Sequence, residues 1–73
     1  MSLKSSEIKK LGQKIKKTRI DKKLTQMDLA ALINKDQQSI QRLEAGRVNP
    51  TYFFLFLICS GLGISVADLI RDI

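Results

Sequence analysis

Between Leu24 and Arg47 the chain signals a helix start twice, eleven residues apart, and leaves three residues in which to turn. Thr25-Gln26-Met27-Asp28 is a capping box: the hydroxyl at the cap accepts from the third backbone N–H, and the acid at that third position reaches back to the cap. The helix it opens spans Gln26 to Ile33. Asn34 follows, one of the few residues with a side chain that tolerates the left-handed backbone conformation. Asp36 then caps a second short helix, Gln37 to Ala45, and Gly46 closes it. Two helices this short, joined only by Asn34-Lys35-Asp36, are too tightly linked to lie antiparallel. Ala30 is small where they would cross, and Ile33, Ile40 and Leu43 are spaced to close a core beneath them. A small residue, a left-handed turn residue four later and apolar anchors beyond it spell a helix-turn-helix over about residues 25–45.

The remaining segments are helical too. Ser5 and Ser6 before Glu7 read as a cap with an acid in the first turn. Ile8, Leu11 and Ile15 then recur at helical spacing, which predicts a first helix from about Ser6 to Lys22. Gly12 inside it weakens a helix by ~1 kcal/mol relative to Ala, a cost that a close helix crossing would explain. Asn49-Pro50-Thr51 is a turn and a cap for a fourth helix, Tyr52 to about Leu62, closed by Gly63. Ser65-Val66-Ala67-Asp68 is a second capping box and opens a fifth helix to the C-terminus. No strand pattern appears. The expectation is an all-α fold of five helices, with residues 1–73 forming a single domain.

Composition narrows the function. Seventy-three residues bury one small core. There is no histidine, so no His base, His-paired nucleophile or His metal ligand exists. The single cysteine, Cys59, forms no internal disulfide and builds no zinc site, which fits a reducing cytoplasm. Neither a paired-carboxylate motif nor a phosphate-binding glycine loop is present, so the expectation is no enzyme, no metal, no cofactor and no small-molecule ligand. Formal charge is +6, concentrated in residues 1–23, where nine cations face Glu7 and Asp21. A balance this basic points to an anionic partner, nucleic acid before membrane. The uncharged stretch after Thr51 is continuously apolar only from Tyr52 to Cys59, short of the ~20 residues of a spanning helix.

The stretch Leu24-Thr25-Gln26-Met27-Asp28-Leu29-Ala30, then Gln37-Gln38-Ser39-Ile40-Gln41-Arg42-Leu43-Glu44-Ala45-Gly46-Arg47, resembles the Cro/C1-type (Xre-like) helix-turn-helix regulators. It is similar above all to the DNA-binding domains of lambdoid phage repressors. Asn49-Pro50-Thr51 and Leu62-Gly63-Ile64-Ser65 continue the register, so the resemblance covers about residues 8 to 73. It implies a lambda-repressor-like fold whose third helix enters the major groove of double-stranded DNA. The base-contacting candidates are then Gln37, Gln38, Gln41 and Arg42. Glutamine pairs with adenine N6 and N7, and arginine with guanine O6 and N7. Backbone-contact candidates are Thr25, Gln26, Lys35, Arg47, Asn49 and Thr51, since helix N-termini and loop cations suit phosphates. Lys22 and Lys23 lie near the DNA side in the family, whereas Lys9, Lys10 and Lys14 read as a solvated face. The resemblance further implies a structural ion pair between Arg19 and Glu44.

Departures from the family pattern fall in two places. Lys35 stands where an aliphatic residue is usual, and Asp36 where Ser or Thr is. Beside DNA an acid opposes phosphate, so Asp36 either caps the third helix or accepts from cytosine N4, capping being the expected role. The fourth helix is apolar all round. Tyr52, Leu55, Ile58, Cys59 and Leu62 form a core face by spacing, leaving Phe53, Phe56, Leu57 and also Phe54 in excess. A contiguous exposed apolar patch implies a partner surface. In the family this region and the fifth helix make the dimer contact, so Phe53, Phe56, Leu57, Ile70 and Ile73 are the interface candidates. The expected function is a sequence-specific transcriptional regulator, a repressor, binding a palindromic operator as a homodimer. The alternative is a protein-interaction module or antitoxin that docks through helix 52–62, with DNA binding vestigial.

Overall fold

The structure, a computed structural model, describes residues 4–71 and 73. Among them are five helices and no strand: α1 Ser5–Asp21, α2 Gln26–Leu32, α3 Gln37–Glu44, α4 Tyr52–Leu62 and α5 Val66–Ile70. The starts of α2 to α5 are set by side-chain caps. Thr25 Oγ1 accepts from the Asp28 N–H, and Asp28 Oδ2 accepts in return from the Thr25 N–H, each at 2.9 Å. Asp36, Thr51 and Ser65 accept from the backbone N–H groups of Ser39, Phe54 and Asp68. At α1 the serines are already inside the helix. Lys4 occupies the cap position, and Glu7 accepts its N–H at 2.9 Å, so the acid alone closes this end.

The ends of α1 to α4 share one closure. A left-handed residue follows each helix: Lys23, Asn34, Gly46 and Gly63, with φ of 60°, 56°, 71° and 73°. The next residue then donates back to a carbonyl five positions earlier: Leu24 to Arg19, Lys35 to Ala30, Arg47 to Arg42, Ile64 to Cys59. This satisfies carbonyls that a helix end otherwise leaves without partners. Lys23 carries no sequence signal for the role, because the left-handed conformation costs a side-chain-bearing residue about 1–2 kcal/mol.

One core joins all five helices: Leu11 and Ile15 of α1, Leu29 and Ala30 of α2, Ile40 and Leu43 of α3, Leu55, Ile58, Cys59 and Leu62 of α4, and Leu69 of α5. Two glycines let helices meet closely. A Cβ on Gly12 would lie 2.5 Å from the Leu43 carbonyl oxygen and 2.7 Å from that of Glu44, so α1 rests directly on the backbone of α3. One on Gly61 would lie 2.8 Å from Ile33 and 2.9 Å from Leu29, which seats α4 against α2. The glycine that weakens α1 as an isolated helix is thus what admits α3.

Besides the cap of α1, two sequence expectations change, and the interface candidates differ in exposure. Tyr52, assigned to the core face, is 61% exposed: as the first residue of α4 it stands at the mouth of a cleft between α4 and α5 instead of in the core. Leu57 and Ile73, assigned to the interface, are half-buried and packed on the core, while Ile70 is exposed. The fifth helix ends at Ile70 instead of the C-terminus, and Asp72 lies outside the described residues.

Candidate nucleic-acid interface

Helix α3 divides sharply into two sides. Ile40, Leu43 and Glu44 face inward, and Gln37, Gln38, Gln41 and Arg42 are all exposed. Gln38, Gln41, Arg42, Ala45 and Arg47 line one shallow hollow on the outer side. Lys35, Ser39, Arg42 and Thr51 border a second cleft, between α3 and the start of α4. The exposed face therefore carries amides and cations, with Asp36 as the acid at its leading end.

Behind this face lies a polar network in an otherwise apolar core. Arg19 and Glu44 are each only 7% exposed. Arg19 Nε donates to Glu44 Oε2 at 2.6 Å and Nη2 to Oε1 at 3.0 Å, a two-pronged pair in which charge and geometry coincide. Arg19 Nη1 also donates to the Leu24 carbonyl at 2.7 Å. Its bonds to Glu44 raise the Arg19 pKa above the ordinary arginine value. Gln26 Nε2 adds a further donor to Glu44 Oε1 at 3.0 Å. Glu44 thus ties the end of α3 to α1 and to the first residue of α2, and Arg19 extends the network to the loop after α1. Among the described residues no buried side-chain nitrogen or oxygen is left without a hydrogen bond.

The other backbone-contact candidates are placed as follows. Thr25 and Thr51 cap α2 and α4 and are exposed, as are Lys35, Arg47 and Asn49. Two lysines read as solvated have structural contacts. Lys14 Nζ donates to the Asp68 carbonyl at 2.8 Å, fastening α1 to α5. The Lys9 stem lies against Gly46, where an added Cβ would meet its Cγ at 3.0 Å. Neither contact is visible in spacing alone, because both partners are distant in sequence. Ser39 also escaped the sequence reading: its hydroxyl and its backbone N–H both donate to Asp36 Oδ1.

On α4, Tyr52, Phe53 and Phe56 stand 61%, 65% and 52% exposed. A cleft between α4 and α5 opens beside them, lined by Tyr52, Phe56, Cys59, Ile64 and Val66. Burial pushes the Cys59 thiol pKa up, so it stays protonated and unreactive. Among the described residues no cluster suits a metal ion, and no helix is long and apolar enough to cross a membrane.

A family model described as helix-turn-helix matches residues 15–69. The chain belongs to that family. Helix-turn-helix relatives give it company of known type. The immunity repressor protein of Bacillus phage phi105 is 35% identical over 62 residues, covering 85% of this chain and 43% of that one. The chain therefore spans less than half the length of that relative. An HTH-type transcriptional regulator of Sinorhizobium fredii is 36% identical over 62 residues, covering 85% of this chain and 80% of that one. Among solved structures, the restriction-modification controller protein C.AhdI from Aeromonas hydrophila superposes with a TM-score of 0.85 at 26% identity, over 88% of this chain and 97% of that one. The controller protein C.Esp1396I, solved as a tetramer with its natural 35 base-pair operator, gives 0.82 at 35% identity, over 89% and 86%. The family is one of DNA-binding transcription regulators, and this chain is a Cro/C1-type member of it.

Proposed function

We propose that this helix-turn-helix regulator is a repressor that binds a palindromic operator as a symmetric dimer and acts in the cytoplasm. The observation that carries the reading is the outer face of α3. Four side chains able to contact base edges, Gln37, Gln38, Gln41 and Arg42, stand exposed on a helix anchored from behind by the buried Arg19–Glu44–Gln26 network. Thr25, Gln26, Lys35, Arg47, Asn49 and Thr51 would meet the DNA backbone on either side and set the register of α3 in the groove. Supporting the dimer are the exposed aromatics of α4, together with the tetrameric, operator-bound form of the similar controller protein. A two-fold pairing would place two copies of α3 about 34 Å apart, on successive major-groove faces.

Selection of bound duplexes from a random pool tests the reading directly. Enrichment of an inverted repeat, with mobility shifts that survive excess random DNA, is the expected result. Binding of all sequences alike would refute it. The exposed α4 aromatics also favour a second reading, in which α4 docks a different protein and DNA binding is residual. Under that reading the pool would yield no motif.

A further inference from the structure

Asp36 is the acid at the leading end of α3, and its two carboxylate oxygens are unequally used. Oδ1 accepts both from the Ser39 backbone N–H at 3.3 Å and from the Ser39 hydroxyl. The cap is therefore complete on one oxygen, and no other residue hydrogen-bonds to Oδ2 among the described residues. The side chain is exposed, directly before Gln37 and Gln38. Ser39 holds its carboxyl below the usual carboxylate range, with Arg42 adding to the effect. Capping and base reading are thus compatible here: one oxygen does the first and leaves the second for DNA.

We infer that Asp36 is a specificity-determining residue whose free oxygen selects cytosine at one position of each half-site, beside the base read by Gln37. This rests on the DNA-reading role proposed above. A carboxylate only accepts, so it needs a base edge that donates without an adjoining acceptor. Cytosine offers its N4 amino group alone in the major groove. Adenine places the N7 acceptor beside its N6 donor, a pair that suits the amide of glutamine and repels a carboxylate. Thymine offers the O4 acceptor and guanine two acceptors. Near phosphates the same charge weakens binding to every sequence, so it lowers random-site affinity while the N4 contact restores affinity at the right site. Both effects widen the ratio between operator and random DNA.

The test is selection of bound duplexes by wild type and by Asp36→Ser, followed by equilibrium titration. Serine keeps a capping oxygen and removes the charge. The expected result is a cytosine in the wild-type motif that Asp36→Ser loses while the rest of the motif remains, with tighter binding of random DNA by the variant. Replacing that cytosine by thymine, with its partner base, should weaken wild type about tenfold, the scale of one charge-assisted hydrogen bond, and leave Asp36→Ser nearly unchanged. The thymine measurement on wild type needs no folded variant. Identical motifs from both proteins overturn the inference, as does adenine at the Asp36-dependent position. A wild-type pool with no motif at all overturns the DNA-reading role as well, which separates the two failures.

Discussion

Glu44 is where structure and function meet at the residue scale, because one carboxylate serves partners from two helices, Arg19 of α1 and Gln26 of α2. Removing Arg19 would strand it, nearly buried, with Gln26 as its remaining side-chain donor. Breaking a buried pair from one side costs ~3–5 kcal/mol, a large part of the 5–15 kcal/mol typical of a whole domain. Arg19→Ala should therefore lower the melting temperature by many degrees, and a change of only a degree or two would show that the pair is not energetically buried. Arg19→Met with Glu44→Leu should recover much of the loss, since replacing both charges leaves no buried charge unpaired, and only the Gln26 amide and the Leu24 carbonyl lose a partner. The reading face should behave differently. Gln37→Ala or Gln38→Ala should relax preference at one base position by ~1–3 kcal/mol and leave random-DNA binding intact. Arg47→Ala should weaken all sequences alike and reduce the salt slope by about one unit. Equal losses on operator and random DNA for the glutamine variants would argue against base reading. These residues differ in how far the sequence disclosed them. Gln37 and Gln38 are visible because they lie in a motif of fixed order, whereas the bond from Gln26 to Glu44 depends on a side-chain conformation that no spacing encodes.

At the scale of the element, caps and closures explain why the boundaries were mostly legible. Thr25, Asp36, Thr51 and Ser65 announce four starts by local chemistry, and Asn34, Gly46 and Gly63 announce three ends. Lys23 performs the same closing role without announcing it, and Tyr52 fits a core spacing yet stays 61% exposed. Local signals are readable; which stretch of a stripe finds a partner is a tertiary matter. The caps also predict a pH response. The Thr25 N–H holds the Asp28 carboxyl below the usual carboxylate range, and the hydroxyls of Ser39 and Ser65 do the same for Asp36 and Asp68. Folded values below the unfolded one mean that this stability is present above an unfolded pKa of about 3.9 and is lost as pH falls through the folded values. Melting temperature should drop between about pH 5 and pH 2, and the triple Asp→Asn variant at 28, 36 and 68 should drop less. Gly12→Ala provides the packing counterpart. Alanine gains ~1 kcal/mol in helix propensity, but its methyl group meets two carbonyl oxygens that cannot move without shifting α3. Net destabilisation of ~1–3 kcal/mol is expected, and a variant more stable than wild type would show that the two helices can separate.

Over the whole molecule, two unlike faces are exposed: a polar one on α3 and an aromatic one on α4. Burying Phe53 and Phe56 against a second copy would contribute ~1.5–3 kcal/mol for each fully buried side chain, before the loss of association entropy. Sedimentation equilibrium at micromolar concentration should therefore give a dimer, and a species of 8.3 kDa would refute it. Phe53→Lys or Phe56→Lys should yield a folded monomer that binds operator weakly. Leu57→Lys is less informative, because the half-buried Leu57 also serves the core. The bulk of α4 was legible as excess hydrophobicity, but its division between core and surface was not, since a uniformly apolar helix carries no orientation in its sequence. The close seat of Gly12 on α3 has a consequence for how such a protein diversifies. Because α3 is aligned by main-chain contact with α1, and its outward side chains are exposed, substitutions at 37, 38, 41 and 42 leave its bearing untouched. Under the proposed reading, new target sequences are thus within reach by altering those four positions together with Asp36, with the scaffold inherited whole.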